Sequence, residues 1–371
     1  MALLVELLDA FSELEDPRCD YKVEHNLLDI LVMAICAVIG CAESWEDIEL
    51  YARSKESWLR EFLSLKNGIP SHDTFRRVFT LINPKQFERC FRRWIGQWLG
   101  DSHPDCVAID GKTLRHSFDK KRQLSPIHLV SAWASEARLT LGQVAVDSKS
   151  NEITAIPELL ADLDLENCLV TIDAMGCQKD IAQTIVDKKA QYVLALKGNQ
   201  KKTFQAVEGW FEKQAFQAPW PLRPVYDAFD ESHGRLQRRR VFVHAAPTEL
   251  DSLNDWPQLK SIIAVESIRG VGKEPVTCEI RYFISSAEAT DSRIAAAIRN
   301  HWSIENSLHW VLDVTFGEDN SRIREPNACQ NLALLRKIAI NLIQKSQTKG
   351  SVRGRRKKAA WDNDYMAKLL A

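Results

Sequence analysis

The apolar periodicity of the chain changes at Asp101-Ser102-His103-Pro104, and no other feature constrains the fold as much. Before that point hydrophobic residues recur at helical spacing, beginning with Leu3, Leu4, Leu7, Leu8 and Phe11. Asp16-Pro17 stops the first segment. Further helices are predicted over residues 27–41, 45–63, 74–82 (capped by Ser71 or Asp73) and about 84–98. After it come short runs of buried-strand type over residues 106–110, 127–134, 139–146, 168–173 and 192–196. Helical patterns interrupt them at 152–163, with Asn151 as N-cap, and at 179–189. Three strands, a helix, a strand, a helix and a strand predict an α/β fold, a mixed sheet flanked by helices.

From about 199 to 286 the alternation gives way to β-rich stretches at 237–245, 260–267 and 276–285, which read as an insertion. A long helix resumes at Asp291, and another is expected over 330–344. The chain therefore divides into a helical domain (1–100), an α/β domain (101–346) and a basic tail (347–371). Gly68-Ile69-Pro70 breaks the helical pattern just before Ser71-His72-Asp73-Thr74-Phe75-Arg76-Arg77. That arrangement fits a helix-turn-helix with the Arg pair on its second helix; an ordinary bundle with a solvated Arg pair is the plainer alternative.

The 49 Lys and Arg against 50 Asp and Glu exclude a uniformly basic coat and a uniformly acidic, disordered chain. The distribution is uneven: from Leu335 onward ten Lys or Arg face only Asp362 and Asp364, a candidate polyanion contact. The nine cysteines include no CxxC pair, which fits reduced thiols better than a zinc site or a disulfide scaffold. The start lacks a basic region ahead of its apolar residues, so no signal peptide is expected. The uncharged run over 30–42 is 13 residues, short of the roughly 20 needed to span a bilayer. A cytoplasmic protein without a membrane partner is expected.

Two predicted strands end in carboxylates, Asp110 and Asp173. Ligands of α/β sheets gather at strand carboxyl ends, so the two converge if their strands are neighbours. Hard divalent cations take oxygen ligands. A third carboxylate from a helix crossing the sheet would complete a site able to clamp both oxygens of a phosphodiester displacement. Glu305, a charge within the apolar pattern of Trp302, Ile304 and Leu308, is the best third candidate; Asp313, Glu318 and Asp319 compete with it. No P-loop, dinucleotide fingerprint, HExxH, zinc spacing or nucleophile elbow is present. His301 and His309 read as packing or hydrogen-bonding residues.

Several blocks in order carry a resemblance. They are Asp16-Pro17-Arg18 with Glu24-His25, Gly68 to Thr74, Ala108-Ile109-Asp110-Gly111-Lys112-Thr113, Asn151 to Pro157, Asp173-Ala174-Met175-Gly176-Cys177-Gln178, Lys197-Gly198-Asn199-Gln200, Ser232-His233-Gly234-Arg235 and Arg299-Asn300-His301-Trp302-Ser303-Ile304-Glu305-Asn306. Over nearly its whole length the chain resembles the H-repeat-associated (Rhs-linked) insertion-sequence transposases, of the DDE superfamily with an RNase H-like catalytic domain. The resemblance places the catalytic, metal-binding triad on Asp110, Asp173 and Glu305. It implies two Mg2+ or Mn2+ ions, cleavage at element ends, and attack of the freed 3′-hydroxyl on target DNA. It also implies double-stranded DNA as partner, a homodimer or higher assembly on paired ends, and a bacterial, nucleoid-associated setting. Lys197, Arg235 and Arg239 are expected at phosphates near the insertion, Arg76 and Arg77 at the terminal repeats, and Lys112 beside Asp110. Broader relatives carry Tyr, Arg and Lys around the glutamate where this chain has Ile298, His301 and Leu312, with Arg299 or His309 as candidate substitutes. Two other readings stand beside this one: an RNase H-like nuclease without strand transfer, and a non-catalytic DNA-binding module.

Overall fold

The computed structural model describes residues 2–19, 21, 23–100, 103–146, 151–215, 222–232, 235–271, 275–346 and 348–371. Six helices come first: α1 (Ala2–Phe11), α2 (Leu27–Ile39), α3 (Trp45–Ser54), α4 (Glu56–Leu59), α5 (His72–Leu81) and α6 (Pro84–Leu99). Helix α2 is the uncharged run of the sequence. Asn26 caps it by accepting from the amides of Leu28 and Asp29, and it is buried on nearly every side. Asn83 and Pro84 start α6 as a side-chain cap and an N1 proline.

The sheet follows: β1 (Cys106–Thr113), β2 (His128–Ala134), β3 (Leu139–Ala145), α7 (Glu152–Ala161), β4 (Leu169–Ile172), α8 (Lys179–Asp187), β5 (Gln191–Leu196) and α9 (Lys201–Ala215). Then come β6 (Tyr226–Ser232), β7 (Arg235–Ala245), β8 (Ser261–Val271) and β9 (Thr277–Ser285). Asn151 caps α7 as expected, accepting from the amide of Ile153. The nine strands form one sheet in the order β3-β2-β1-β4-β5-β9-β8-β7-β6. Strands β1, β4 and β5 run parallel, while β2 and β3 on one side and β9 to β6 on the other are antiparallel. The β-rich stretch is thus no separate body, because β9 pairs with β5 and extends the central sheet. It also holds α9 and β6, which the sequence pattern did not reveal.

Helix α10 (Arg293–Ser303) continues through π-helical segments at Ile304–His309 and Val311–Thr315 as one rod. A short 3-10 turn, Glu318–Asn320, leads to α11 (Pro326–Lys345). Every residue of α11 from 331 to 343 is buried, against α2, α5, α6 and β3. Asn331 donates to the carbonyls of Phe79 and Ile82 at the end of α5. Asn341 pairs with both backbone groups of Thr140, which closes the exposed edge of β3. One continuous apolar core therefore runs from the first six helices into the sheet.

The basic end of the chain is not a free tail but two docked helices, α12 (Val352–Trp361) and α13 (Asn363–Leu369). Arg355 and Arg356 are buried and donate to carbonyls: Arg355 to Ile343, Arg356 to Val38 and Thr315. The Arg356 guanidinium also lies 3.8 Å from the centre of the Phe316 ring. These two arginines are occupied within the fold rather than offered to a polyanion. The connection before α5 also departs from expectation. It spans residues 60–71, where a helix-turn-helix uses a turn of about 3–4 residues.

Candidate active site

Strand β1 lies parallel to β4 with Ile109 beside Ile172, so Asp110 and Asp173 occupy the next, neighbouring positions. Asp110 does not end its strand as the sequence suggested, because β2 keeps pairing with β1 as far as Thr113. Asp173 does follow the last residue of β4. It accepts the amides of Met175 (3.0 Å) and Gly176 (3.4 Å), closing the turn into α8. Side chains alternate along a strand, so Asp110 and Lys112 share one face of β1. Gly111 faces the other way, where a Cβ would overlap Glu152 and His128.

The rod crosses β1, β4 and β5 on the Asp110 face. His301 bonds Thr171 of β4 at 2.9 Å, and the Trp133 indole of β2 donates to Ser303 at 3.1 Å. Beyond Ser303 the i→i+5 bonding of a π-helix widens each turn, a feature common at functional sites. Glu305 and His309, four residues apart, lie on the same side of the rod. His309 Nδ1 lies 3.1 Å from Glu305 Oε2 and 3.5 Å from Asp110 Oδ2. One donor atom from each of Asp110, Glu305 and His309 falls within 4.8 Å of the others, a group able to hold a metal ion.

The electrostatics agree with that geometry. Burial, then the carboxylates of Asp173, Glu152 and Glu305, push the Asp110 carboxyl up to about 7, against the opposing Gly111 amide. Burial, helped by Lys337 and Lys112, pushes the His309 imidazole down to about 3. His309 is therefore neutral, and its contacts with the two acids are not ion pairs. Its Nε2 is buried without a hydrogen-bond partner among the described residues. Two carboxylates and a neutral imidazole, with no free cation between them, are a donor set suited to a divalent cation. Asp110, Asp173 and Glu305 open into one cavity of about 480 Å3, which Lys197, Arg281 and Trp302 also line.

The remaining expected residues are distributed as follows. Lys112 is nearly buried, with Nζ 2.6 Å from Asp313 and bonded to Glu318, which Arg336 also approaches. The competing carboxylates Asp313 and Glu318 are thereby engaged away from the cavity. Arg76 pairs with Asp73 at 2.7 Å, and Arg76 and Arg77 line a groove with Arg322 and Arg324, apart from the acids. The side chain of Arg235, with His233 and Gly234 of its block, lies outside the described residues.

The arginines of β7 divide by face. Arg238 and Arg240 pair with Asp227 and Glu266 on one face, at 2.7 and 2.6 Å. Arg239 points to the opposite face, the one packed against the rod, as do Arg269 and Arg281. Burial, then the like charges of Arg269, Arg299 and Arg281, pull the Arg239 pKa below its usual value. Arg299 donates to the Tyr226 hydroxyl at 2.9 Å. Among the described residues, no carboxylate pairs with Arg239, Arg269 or Arg299. Arg281 pairs with Glu279 and lies over the Trp302 ring at 5.4 Å. Sequence reasoning passed over Arg269 and Arg281, and weighed His309 mainly as a packing residue. The signal for His309 was its i+4 spacing from Glu305.

Over nearly its whole length the chain is similar to known transposases. Residues 101–342 match the family described as "Transposase DDE domain", and residues 8–95 match "DDE_Tnp_1-associated". The chain is 42% identical over 381 residues to the H repeat-associated putative transposase YhhI of Escherichia coli (strain K12), covering 99% of this chain and 98% of that one. It is 44% identical over 370 residues to the putative transposase YncI of Escherichia coli O157:H7, covering 98% and 94%. A cryo-EM structure of the piggyBac transposase synaptic complex with hairpin DNA aligns with 100% of this chain and 78% of that one, at 13% identity and a TM-score of 0.45. No described helix is long and apolar enough to cross a membrane.

Proposed function

The chain belongs to the H-repeat-associated transposases of the DDE superfamily, and from that premise we propose that it cuts DNA at the ends of an insertion sequence and joins the freed 3′ end to target DNA. The observation that carries this reading is the meeting of Asp110 and Glu305 around His309 in the cavity that Asp173 also lines. Asp110, Asp173 and Glu305 are the proposed metal ligands and catalytic acids, with His309 beside them. Divalent cations, Mg2+ or Mn2+, would supply Lewis acidity to the scissile phosphate and lower the pKa of the attacking water.

The protein's own part is to hold the acids and the DNA in place. Strands β1 and β4 fix Asp110 and Asp173 side by side, and the rod brings Glu305 over them. The arginine face of Arg239, Arg269, Arg281 and Arg299 would receive the phosphate backbone, since clustered like charges are relieved by a polyanion. In cleavage a water oxygen bonds to phosphorus, the bond to the 3′ oxygen breaks, and that oxygen takes a proton. In joining, the 3′-hydroxyl oxygen gives up its proton, bonds to a target phosphorus and displaces the target's own 3′ oxygen, which takes up a proton. Trp302, about half exposed beside these acids, gives the cavity an aromatic wall.

The test uses supercoiled plasmid carrying the element with its flanks, incubated with Mg2+ or Mn2+ and target DNA. Nicks at the ends and joined products are expected for the wild-type protein. Asp110→Ala, Asp173→Ala and Glu305→Ala should each lose both while retaining DNA binding. Nicking without joined product would reduce the protein to a nuclease, and binding without cleavage would make it a DNA-binding module. Full activity in Glu305→Ala would move the third acid elsewhere.

A further inference from the structure

Two matched ladders face each other where the rod crosses β1. On the strand, Asp110 and Lys112 stand two residues apart on one face, a step of about 6.6 Å. On the rod, Glu305, His309 and Asp313 stand four residues apart, a step of at most about 6 Å in helical geometry. The first rung joins Asp110 to Glu305 and His309, and the second joins Lys112 to Asp313 at 2.6 Å. The second rung is also anchored from behind. Lys112 bonds Glu318, a buried carboxylate that Arg336 of α11 approaches at 3.5 Å.

We propose that Lys112 and Asp313 are positioning residues whose ion pair sets the register of the rod against β1 and so holds Glu305 and His309 over Asp110. The argument has three parts. First, hydrogen bonding along the rod is already irregular at both π-helical segments, so the backbone alone defines the azimuth of Glu305 weakly. Second, Glu305 is more than half exposed and touches no cation among the described residues, and its bond to His309 lies within the rod, so that bond does not set the rod against β1. Third, Lys112 is only 10% exposed and cannot leave Asp313 for solvent without stranding a carboxylate. A slip of the rod by one residue would carry Glu305 about 100° around the axis and away from Asp110.

This inference rests on the reading that Asp110, Glu305 and His309 hold a divalent cation, and the experiment separates the two. Asp313→Ala is the variant of choice, because Lys112 keeps Glu318 as partner and the fold loses only its second rung. Mn2+ binding to the full chain is followed by electron paramagnetic resonance. Backbone amide exchange over residues 304–315 is measured without metal, and DNA binding is measured in EDTA. Outer partners of metal ligands typically account for about 10–100-fold in metal affinity. Asp313→Ala should therefore bind Mn2+ about 10–100-fold more weakly, exchange faster over 304–315, and bind DNA as the wild type does. Lys112→Arg, which keeps an ion pair with Asp313, should bind Mn2+ as the wild type does. Wild-type exchange over 304–315 in Asp313→Ala overturns the pin, and so does wild-type Mn2+ affinity. Absence of Mn2+ binding in the wild-type protein sinks the cation reading instead, and the exchange measurement then decides the register claim by itself.

Discussion

Asp110→Asn should make the metal-free protein more stable, and by an amount that grows with pH. In the folded chain the Asp110 carboxyl titrates near 7, raised by burial and by neighbouring carboxylates; in the unfolded chain it titrates near its ordinary value of about 3.9. The folded state thus binds the proton more tightly than the unfolded state between those two values. Stability of the wild-type protein must fall as pH rises from about 4 to 7, and level off above that. A shift of about 3 units at about 1.4 kcal/mol each gives a total of about 4 kcal/mol. About 1.5 kcal/mol of this is already lost at pH 5, so the variant's advantage should widen by about 2–3 kcal/mol between pH 5 and pH 8. The group is largely buried, so solvent screening removes little of it. Urea unfolding in EDTA at pH 5, 6, 7 and 8 measures the difference. Saturating Mn2+ should reverse the order, since only the wild-type protein gains from binding it in the folded state. A variant advantage that stays constant across this pH range would refute the reasoning, because burial and repulsion of a charged carboxylate require it to grow.

Three further outcomes follow from other parts of the structure. Gly111→Ala places a methyl group into Glu152 and His128 and should cost about 1–3 kcal/mol by overpacking, read from the urea midpoint. Arg356→Ala removes the guanidinium donor from the carbonyls of Val38 and Thr315, leaving Val38 a long bond from the Cys41 amide, and uncovers Phe316; a loss of about 2–4 kcal/mol is expected in the same assay. Arg239→Ala and Arg269→Ala should each weaken binding to DNA of any sequence and reduce the steepness of its salt dependence by about one unit, measured by titration at several salt concentrations.

The sequence disclosed the parts that depend on short-range pattern. The buried runs leading into Asp110 and Asp173, the N-cap Asn151 and the uncharged helix around Ile35 all follow from periodicity and capping, and the structure has them, although β1 runs on past Asp110 to Thr113. The partners of long-range pairing were not legible. Nothing local says that β9 pairs with β5, since antiparallel strands of an insertion look the same in a separate hairpin as in an extended sheet. The tail misled for a related reason: Arg355 and Arg356 look solvent-bound until the carbonyls of Val38, Thr315 and Ile343, distant in sequence, are seen to receive them. Glu305 stood out as a charge in an apolar stripe, but His309 did not: its i+4 spacing from Glu305 is ordinary on a helix, and only the nearness of Asp110, on a strand distant in sequence, gives it a role. Lys112 looked available for phosphate because its acid partners lie some two hundred residues further along the chain.

The pairing of β9 with β5 turns the sheet into a ruler. Strands sit about 4.8 Å apart, so the four steps from β4, which leads into Asp173, through β5, β9 and β8 to Arg239 on β7 span about 19 Å. Hydrogen bonds run across each of these steps, and the span cannot stretch without breaking a ladder. A duplex lying across the strands advances about 3.4 Å per base pair. The phosphates gripped by the arginines would then be roughly five or six base pairs from the one that is cut. On the proposed reading, the distance from anchor to scissile bond is counted in strands rather than in the reach of a flexible arm.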